Sequence, residues 1–228
     1  MTTLDAYRAL FDGSGDRVPI DFSPSCFRSH VAVDRIREFL PDAGVLIVLR
    51  DPVARAWSAY QNRIRKGYER RAPDEALVRG ERSIDMGFYN ERIVELRDAF
   101  GAARVRVWLF DDLVTDPAGV VGEVLRHVGA DPSEAAFADV AAHNRAHVPR
   151  SQMLHRLFPN HAQRRAILRR VPRSALKPLE FVWRANQRDG DAIPAPTAER
   201  LRTLYAEDIT RLQETLQRDL TAWRIGSA

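Results

Sequence analysis

Gly44-Val-Leu-Ile-Val-Leu-Arg50-Asp51-Pro52-Val-Ala-Arg55-Ala-Trp57-Ser58-Ala-Tyr60 is the stretch of sequence that determines the expected fold. Its first part, Val45–Leu49, is an unbroken run of branched apolar residues, which is typical of a strand buried on both faces of a parallel sheet. Asp51 and Pro52 then predict a helix, because Asp caps exposed backbone N–H groups and Pro suits the first helical position. The stretch therefore predicts a central parallel strand followed directly by a helix.

Two polar side chains flank this predicted junction. Arg50 stands at the end of the strand, where open α/β sheets bind ligands and where a helix N-terminus favours anions. Ser58 lies two turns along the helix from Asp51 on the same face, so we expect its hydroxyl and the Arg50 guanidinium to converge on one phosphate. The alternative is an ordinary capped helix with a surface arginine, because strand–Arg–helix junctions are common.

The sequence around the junction predicts further alternation of strands and helices. Residues 18–22 and 104–110 are predicted to be strands, and residues 33–40 and 86–100 carry apolar side chains at helical spacing. Asp111 and Asp112 follow the second of these strands, and we expect them to cap a helix and turn a loop rather than to act in catalysis.

The central stretch resembles the second cofactor motif of the sulfotransferases that use 3′-phosphoadenosine 5′-phosphosulfate (PAPS), most closely in the bacterial and heparan-sulfate-type branch. In that branch a strand ends in Leu-Arg-Asp-Pro and runs into Arg-Ala-Tyr-Ser, and the Arg and the Ser hold the 3′-phosphate of the cofactor. The matching residues here are Arg50 and Ser58. The resemblance implies a P-loop-NTPase-like sulfotransferase fold, an α/β fold with a parallel β-sheet flanked by helices, with PAPS as sulfuryl donor and no metal.

Other segments are similar to the same family and occur in the same order. The loop 143–151 looks like the family's late Val-Asn-x-Ser…Pro-Arg-Ser loop, which closes over the nucleotide, so Arg150 is expected as a second phosphate donor; a surface arginine is an equally weighted alternative. The C-terminal helical segment, residues 197–225, places its apolar residues on one face and ends much as the family does. The resemblance covers nearly the whole chain, and we expect one sulfotransferase-like domain, residues 1–228.

The family's opening element is not found in this sequence. Members begin with a strand and a loop, Lys-x-Gly-Thr-(Thr/Ser), whose Lys and backbone N–H groups bind the phosphosulfate. The glycines Gly13 and Gly15 have no Lys near them, and neither Lys66 nor Lys177 follows a strand in a Gly-rich setting. We therefore expect a fold that is N-terminally incomplete, lacking the first strand, the phosphosulfate loop and the first helix.

The sequence constrains the identity of the general base less than that of the other residues of the implied site. The family's usual catalytic carboxylate lies in the early region that this chain lacks. Asp21 and His30 are the only local candidates for the base, and both are weak. A single His in a loop is more often solvated than catalytic.

Composition and charge limit the class of protein. The 228 residues are 45% hydrophobic and 29% charged, which is ordinary for a soluble globular protein. No apolar run is long enough to span a bilayer, and the N-terminus is neither a signal nor a transit peptide. The single Cys26 makes no intrachain disulfide and no zinc cluster is available. The expected location is cytoplasmic.

The net charge of +4 is unevenly distributed. The segment 150–188, predicted to be helical, holds ten Lys and Arg against one acid, Glu180, a local excess of +9 that leaves −5 for the remainder. We expect a solvated arginine-rich face near the active cleft, and the alternative is binding of sulfated glycans, phosphate polymers or acidic membranes. Aromatic residues are sparse in the segment, so nucleic acid is not an expected partner.

These observations predict transfer of a sulfuryl group from PAPS to a hydroxyl or amine of a carbohydrate, lipid or small metabolite. The alternative is a truncated, non-catalytic relative that binds a nucleotide or a polyanion.

Overall fold

The structure is a computed structural model of the 228-residue chain. It describes residues 4–15, 17–132 and 191–225, and the backbone of residues 147–149 and 187–189. The chain divides into two compact units: Met1–Leu49 with Arg92–Val140, and Arg50–Glu91 with Ala141–Ala228. The first boundary falls between Leu49, the last residue of the predicted strand, and Arg50, the first residue of the predicted anion site.

The described elements follow one another with short connections. The helices are α1 (Leu4–Arg8), α2 (His30–Phe39), α3 (Pro52–Arg65), α4 (Pro73–Ala76), α5 (Arg82–Asp85), α6 (Asn90–Phe100), α7 (Phe110–Thr115), α8 (Pro117–His127), α9 (Ala195–Leu216) and α10 (Thr221–Ile225). The strands are β1 (Val45–Leu49), β2 (Val105–Leu109), β3 (His147–Pro149) and β4 (Gln187–Asp189), and short 3₁₀ turns span Ala9–Phe11 and Cys26–Arg28. None of the described helices is long and apolar enough to cross a bilayer.

The first unit is built on a parallel pair of strands. β1 and β2 run in register from Val45 opposite Val105 to Leu49 opposite Leu109. Side chains from α2 and α6 pack on one face of this pair, where Val33, Leu96 and Phe100 are buried against the strands. The predicted α/β fold, with a parallel sheet flanked by helices, is confirmed.

Two predictions about the strands are wrong in the described part of the chain. β1 is not buried on both faces, since Val48 is 49% exposed. Residues 18–22 do not form a strand, and Phe22 in this segment is 89% exposed. The alternation of apolar residues favoured a strand, but Pro19 has no N–H to donate and no described strand lies alongside to complete a ladder.

The second unit is organised by the long helix α9. Its inward face buries Leu201, Tyr205, Ile209 and Leu212 completely, which confirms the apolar face predicted for the C-terminal segment. The ring of Tyr205 lies so close to Gly87 that a Cβ at that position would come within 2.8 Å of ring atoms. Only glycine fits there, because the loop before α6 must pass directly over the ring.

The predicted loop 143–151 contains a strand. β3 pairs with β4 in an antiparallel ladder, with Pro149 opposite Gln187, and β3 lies against α3. The pairing brings together the two ends of the segment 150–186. That segment, which holds most of the predicted basic region, is outside the described residues.

An ion cluster orders the polar region after α3. The buried Glu69 carboxylate accepts hydrogen bonds from Nε and Nη2 of Arg71, at 3.0 and 2.8 Å, and from the Arg70 N–H at 3.0 Å. Arg71 also donates to Glu81 at 2.7 Å. The Arg71 hydrogen bonds hold the pKa of Glu69 down to about 2.

We predict that Glu69→Gln lowers the free energy of unfolding by about 1–3 kcal/mol at pH 7, because charge-assisted hydrogen bonds are lost. The folded-state pKa lies below the ordinary value of 4.5, so this contribution is complete above about pH 5 and declines as the pH falls towards 2. Denaturant titrations of wild type and Glu69→Gln between pH 7 and pH 3 should show that the difference in their free energies of unfolding becomes smaller as the pH falls. A difference that widens on acidification contradicts the assignment.

Candidate functional site

The junction before α3 is capped as predicted. The Asp51 carboxylate accepts the Val53 N–H at 2.8 Å, and it also bonds the N–H of Ala54. Burial raises the pKa of Asp51, while these hydrogen bonds and then the guanidinium groups of Arg202 and Arg50 act to lower it. The carboxylate therefore occupies N–H groups of the first turn that an anion would otherwise use.

This occupancy changes how an anion is bound at the junction. An anion must be held mainly by side chains, since α3 offers fewer of its N–H groups than the sequence suggested. The two predicted donors are both half-buried: Arg50 stands immediately before α3 and Ser58 lies two turns into it. The Ser58 hydroxyl has no hydrogen-bond partner among the described residues, so its donor is available. Their convergence on one phosphate stays a prediction.

A second cation near the junction was not found from the sequence. Arg202 projects from α9 close enough to Asp51 to act on its pKa. The sequence carried no signal for it, because Arg202 lies about 150 positions from the junction and sits in an unremarkable helical pattern.

The backbone of Arg50 is fixed from the other side of the chain. The first hydrogen bond of α3 runs from the Arg55 N–H to the Asp51 carbonyl, so the Arg50 carbonyl lies outside the helical ladder. The buried Tyr89 hydroxyl donates to that carbonyl at 2.9 Å. The sequence predicted Tyr89 only as part of the apolar face of a helix.

Arg55 forms contacts within the second unit that link α3 to neighbouring segments. Its Nη2 donates to the Ser83 carbonyl at 2.6 Å, and its guanidinium also contacts the hydroxyl groups of Tyr89 and Tyr205. Burial raises the pKa of Tyr89 to about 12 and that of Tyr205 further still, so both remain neutral donors. The Nε of Arg55 is buried without a hydrogen-bond partner within the described ranges.

Helix α3 also holds the chain that follows β4. Trp57 Nε1 and Gln61 Nε2 both donate to the Asp191 carbonyl, at 2.8 and 2.6 Å. β3, which ends at Pro149, lies against the same helix. Arg150 itself, the predicted second phosphate donor, lies outside the described residues.

The two candidate bases have different surroundings. Asp21 is exposed and accepts from the Ser23 hydroxyl at 3.0 Å and from the Tyr7 hydroxyl at 3.4 Å. His30 is not in a loop, contrary to the prediction, because it is the first residue of α2, which Ser29 caps through its hydroxyl.

His30 is paired with a carboxylate. Its Nδ1 lies 2.7 Å from Oε1 of Glu95, and Nη1 of Arg92 lies 2.7 Å from Nδ1 and 3.2 Å from Nε2 of the same ring. Arg92 also forms an ion pair with Glu95 and donates to the Phe27 carbonyl at 2.9 Å. Glu95 can only accept and Arg92 can only donate, so Nδ1 forms a hydrogen bond with one of the two according to its tautomer.

The predicted capping role of Asp112 is confirmed. Its carboxylate accepts the Leu109 N–H at 3.2 Å, at the start of α7. Asp116 in turn caps α8 by accepting the Gly119 N–H at 2.9 Å.

The structure is that of an α/β protein, in which a parallel strand pair is flanked by helices and an arginine precedes a capped helix. The sequence model of a protein family described as "Sulfotransferase family" matches residues 6–134, which is more than half of the chain. The chain therefore belongs to the sulfotransferase family. Family membership and fold support sulfuryl transfer as its general chemistry.

One solved structure supports the fold, and a second is more distantly similar. A sulfotransferase from Alicyclobacillus acidocaldarius superposes with a TM-score of 0.67 at 24% identity, covering 98% of this chain and 75% of that one. A sulfotransferase domain from the curacin biosynthetic pathway superposes with a TM-score of 0.42 at 14% identity, covering 61% of this chain and 50% of that one. No curated protein sequence matches this chain.

We predict that Asp51→Ala lowers the free energy of unfolding by about 1 kcal/mol, because the first turn of α3 loses its acceptor. Asp51→Asn is the matched control, since an amide oxygen also caps well, and it should cost no more than a few tenths of a kcal/mol. Urea unfolding of the three proteins measures both changes. Equal losses of unfolding free energy in the two variants would contradict the assignment of Asp51 as the stabilising cap of α3.

Proposed function

We propose that the protein is a PAPS-dependent sulfotransferase that acts on a hydroxyl or amine acceptor of carbohydrate, lipid or small-metabolite type. The observation that carries this proposal is the junction before α3. There Arg50 lies directly before the capped start of α3, in a chain that belongs to the sulfotransferase family. The Ser58 hydroxyl lies two turns along the same helix and has no hydrogen-bond partner among the described residues. PAPS, when bound, supplies the sulfuryl group.

The proposed nucleotide contacts use side chains. The Arg50 guanidinium offers two parallel N–H donors to the 3′-phosphate, and the Ser58 hydroxyl offers a third. Because Asp51 occupies N–H groups of the first turn, the affinity for the 3′-phosphate rests on these two side chains. Arg150 is proposed as an additional donor, supported by the position of β3 against the helix that carries Ser58.

The proposed general base is His30 rather than Asp21. A base that takes a proton becomes an imidazolium, and the Glu95 carboxylate at 2.7 Å stabilises that cation. The His30 ring is 69% exposed, so an acceptor can reach it. In the proposed step the acceptor loses its proton to the His30 imidazole, its oxygen or nitrogen bonds to sulfur, and the bond between sulfur and the 5′-phosphate oxygen breaks.

A second candidate function is binding without transfer. It is favoured by one feature of the sequence, since no Lys lies in a Gly-rich turn between a strand and a helix. Sulfuryl transfer from radiolabelled PAPS should be measured with this chain and with any residues that its gene encodes before Met1. Nucleotide binding without turnover in both proteins supports the second candidate. Salt-sensitive binding of heparin by a protein with no nucleotide affinity instead favours a polyanion-binding role.

We predict that Arg50→Ala and Ser58→Ala each weaken binding of 3′,5′-bisphosphoadenosine and leave binding of 5′-AMP nearly unchanged. Loss of one charge-assisted hydrogen bond to phosphate corresponds to about 10- to 100-fold in Kd. Isothermal titration calorimetry with both nucleotides measures the difference. The control is Arg37→Ala, which removes an exposed arginine paired with Asp34 at 3.6 Å on α2. Equal losses for the two nucleotides contradict the 3′-phosphate assignment.

We predict that His30→Ala lowers kcat by about 10²- to 10⁴-fold, the usual contribution of a general base. Asp21→Asn is the control and should change kcat little. A larger loss of kcat in Asp21→Asn than in His30→Ala excludes His30 as the base.

A further inference from the structure

The carbonyl of Arg50 accepts a hydrogen bond from a buried side chain. Tyr89 is 3% exposed, and its hydroxyl donates to the Arg50 carbonyl at 2.9 Å. A partly buried carbonyl that loses its donor destabilises the folded chain, so this hydrogen bond constrains the peptide between Arg50 and Asp51. The orientation of that peptide sets the direction in which the Arg50 side chain leaves the backbone.

Tyr89 is itself held at both ends. The Asp208 carboxylate, on α9, accepts the Tyr89 N–H at 2.8 Å and the Asn90 N–H at 3.3 Å. The Tyr89 ring packs edge-on against Trp223 of α10, with 6.4 Å between centroids. The C-terminal helices thus fix the tyrosine whose hydroxyl reaches the junction.

We propose that Tyr89 is a positioning residue that holds Arg50 in the orientation needed to select nucleotides bearing a 3′-phosphate. The inference rests on the proposed function and extends it to a residue that does not touch the nucleotide. A backbone that is fixed before the phosphate binds reduces the conformational entropy lost on binding.

The second unit contains a matched control for this role. The Tyr205 hydroxyl donates to the Ile84 carbonyl at 2.8 Å, and Tyr205 is also fully buried. Both tyrosines contact Arg55, and both remain neutral. Tyr205→Phe therefore removes the same kind of hydrogen bond from the same unit, but at a carbonyl in α5 rather than at Arg50.

The test compares affinities for two nucleotides. The ratio of the Kd for 5′-AMP to the Kd for 3′,5′-bisphosphoadenosine is measured by calorimetry for wild type, Tyr89→Phe and Tyr205→Phe, well below their melting temperatures. Tyr89→Phe should reduce the ratio by about 3- to 10-fold, the worth of one hydrogen bond, while Tyr205→Phe leaves it unchanged. Both variants should lose similar thermal stability. Equal ratios in all three proteins, or equal reductions in both variants, overturn the inference.

A double variant separates positioning from other effects. In the Arg50→Ala background, Tyr89→Phe should cause no further change in the ratio, because the side chain that it orients is gone. An additive change overturns the inference. A wild type that binds both nucleotides equally overturns the 3′-phosphate assignment together with this inference. If the wild type prefers 3′,5′-bisphosphoadenosine and Tyr89→Phe keeps the full preference, the inference about Tyr89 is overturned and the 3′-phosphate assignment stands.

Discussion

The hydrogen bond from Tyr89 to the Arg50 carbonyl is the contact on which the candidate site depends. Helix α3 begins its ladder one residue later, at the Asp51 carbonyl, and so leaves the Arg50 carbonyl to be satisfied by another part of the chain. Asp208 holds the backbone of Tyr89, which links the long C-terminal helix to the start of α3. The position of one arginine therefore depends on residues more than 100 positions apart.

The electrostatics of the junction follow from a division of roles. Asp51 serves the helix by bonding first-turn N–H groups, and its burial disfavours its charged form. Arg55 is committed to Ser83 and the two buried tyrosines. Arg50 and Ser58 are the polar groups of this stretch that we assign to a ligand. Under this assignment, a stretch containing two arginines and an acid serves both helix stability and the proposed anion binding.

Local rules predicted much of this fold. Strand β1, the Asp51 cap with Pro52 beside it, and the buried face of α9 all follow from spacing and from the chemistry of single residues. The errors arose where the outcome depends on distant partners. Residues 18–22 alternate like a strand but have no described neighbour to pair with. Likewise, the pairing of His30 with Glu95 joins residues 65 positions apart, and nothing in the sequence near either residue indicates it.

The most direct test of the 3′-phosphate assignment is a crystal structure of the protein with 3′,5′-bisphosphoadenosine bound. The expected result is a 3′-phosphate within about 2.7–3.0 Å of both the Arg50 guanidinium and the Ser58 hydroxyl, with the Tyr89 hydroxyl still on the Arg50 carbonyl. A nucleotide bound with its 3′-phosphate away from these two side chains contradicts the assignment.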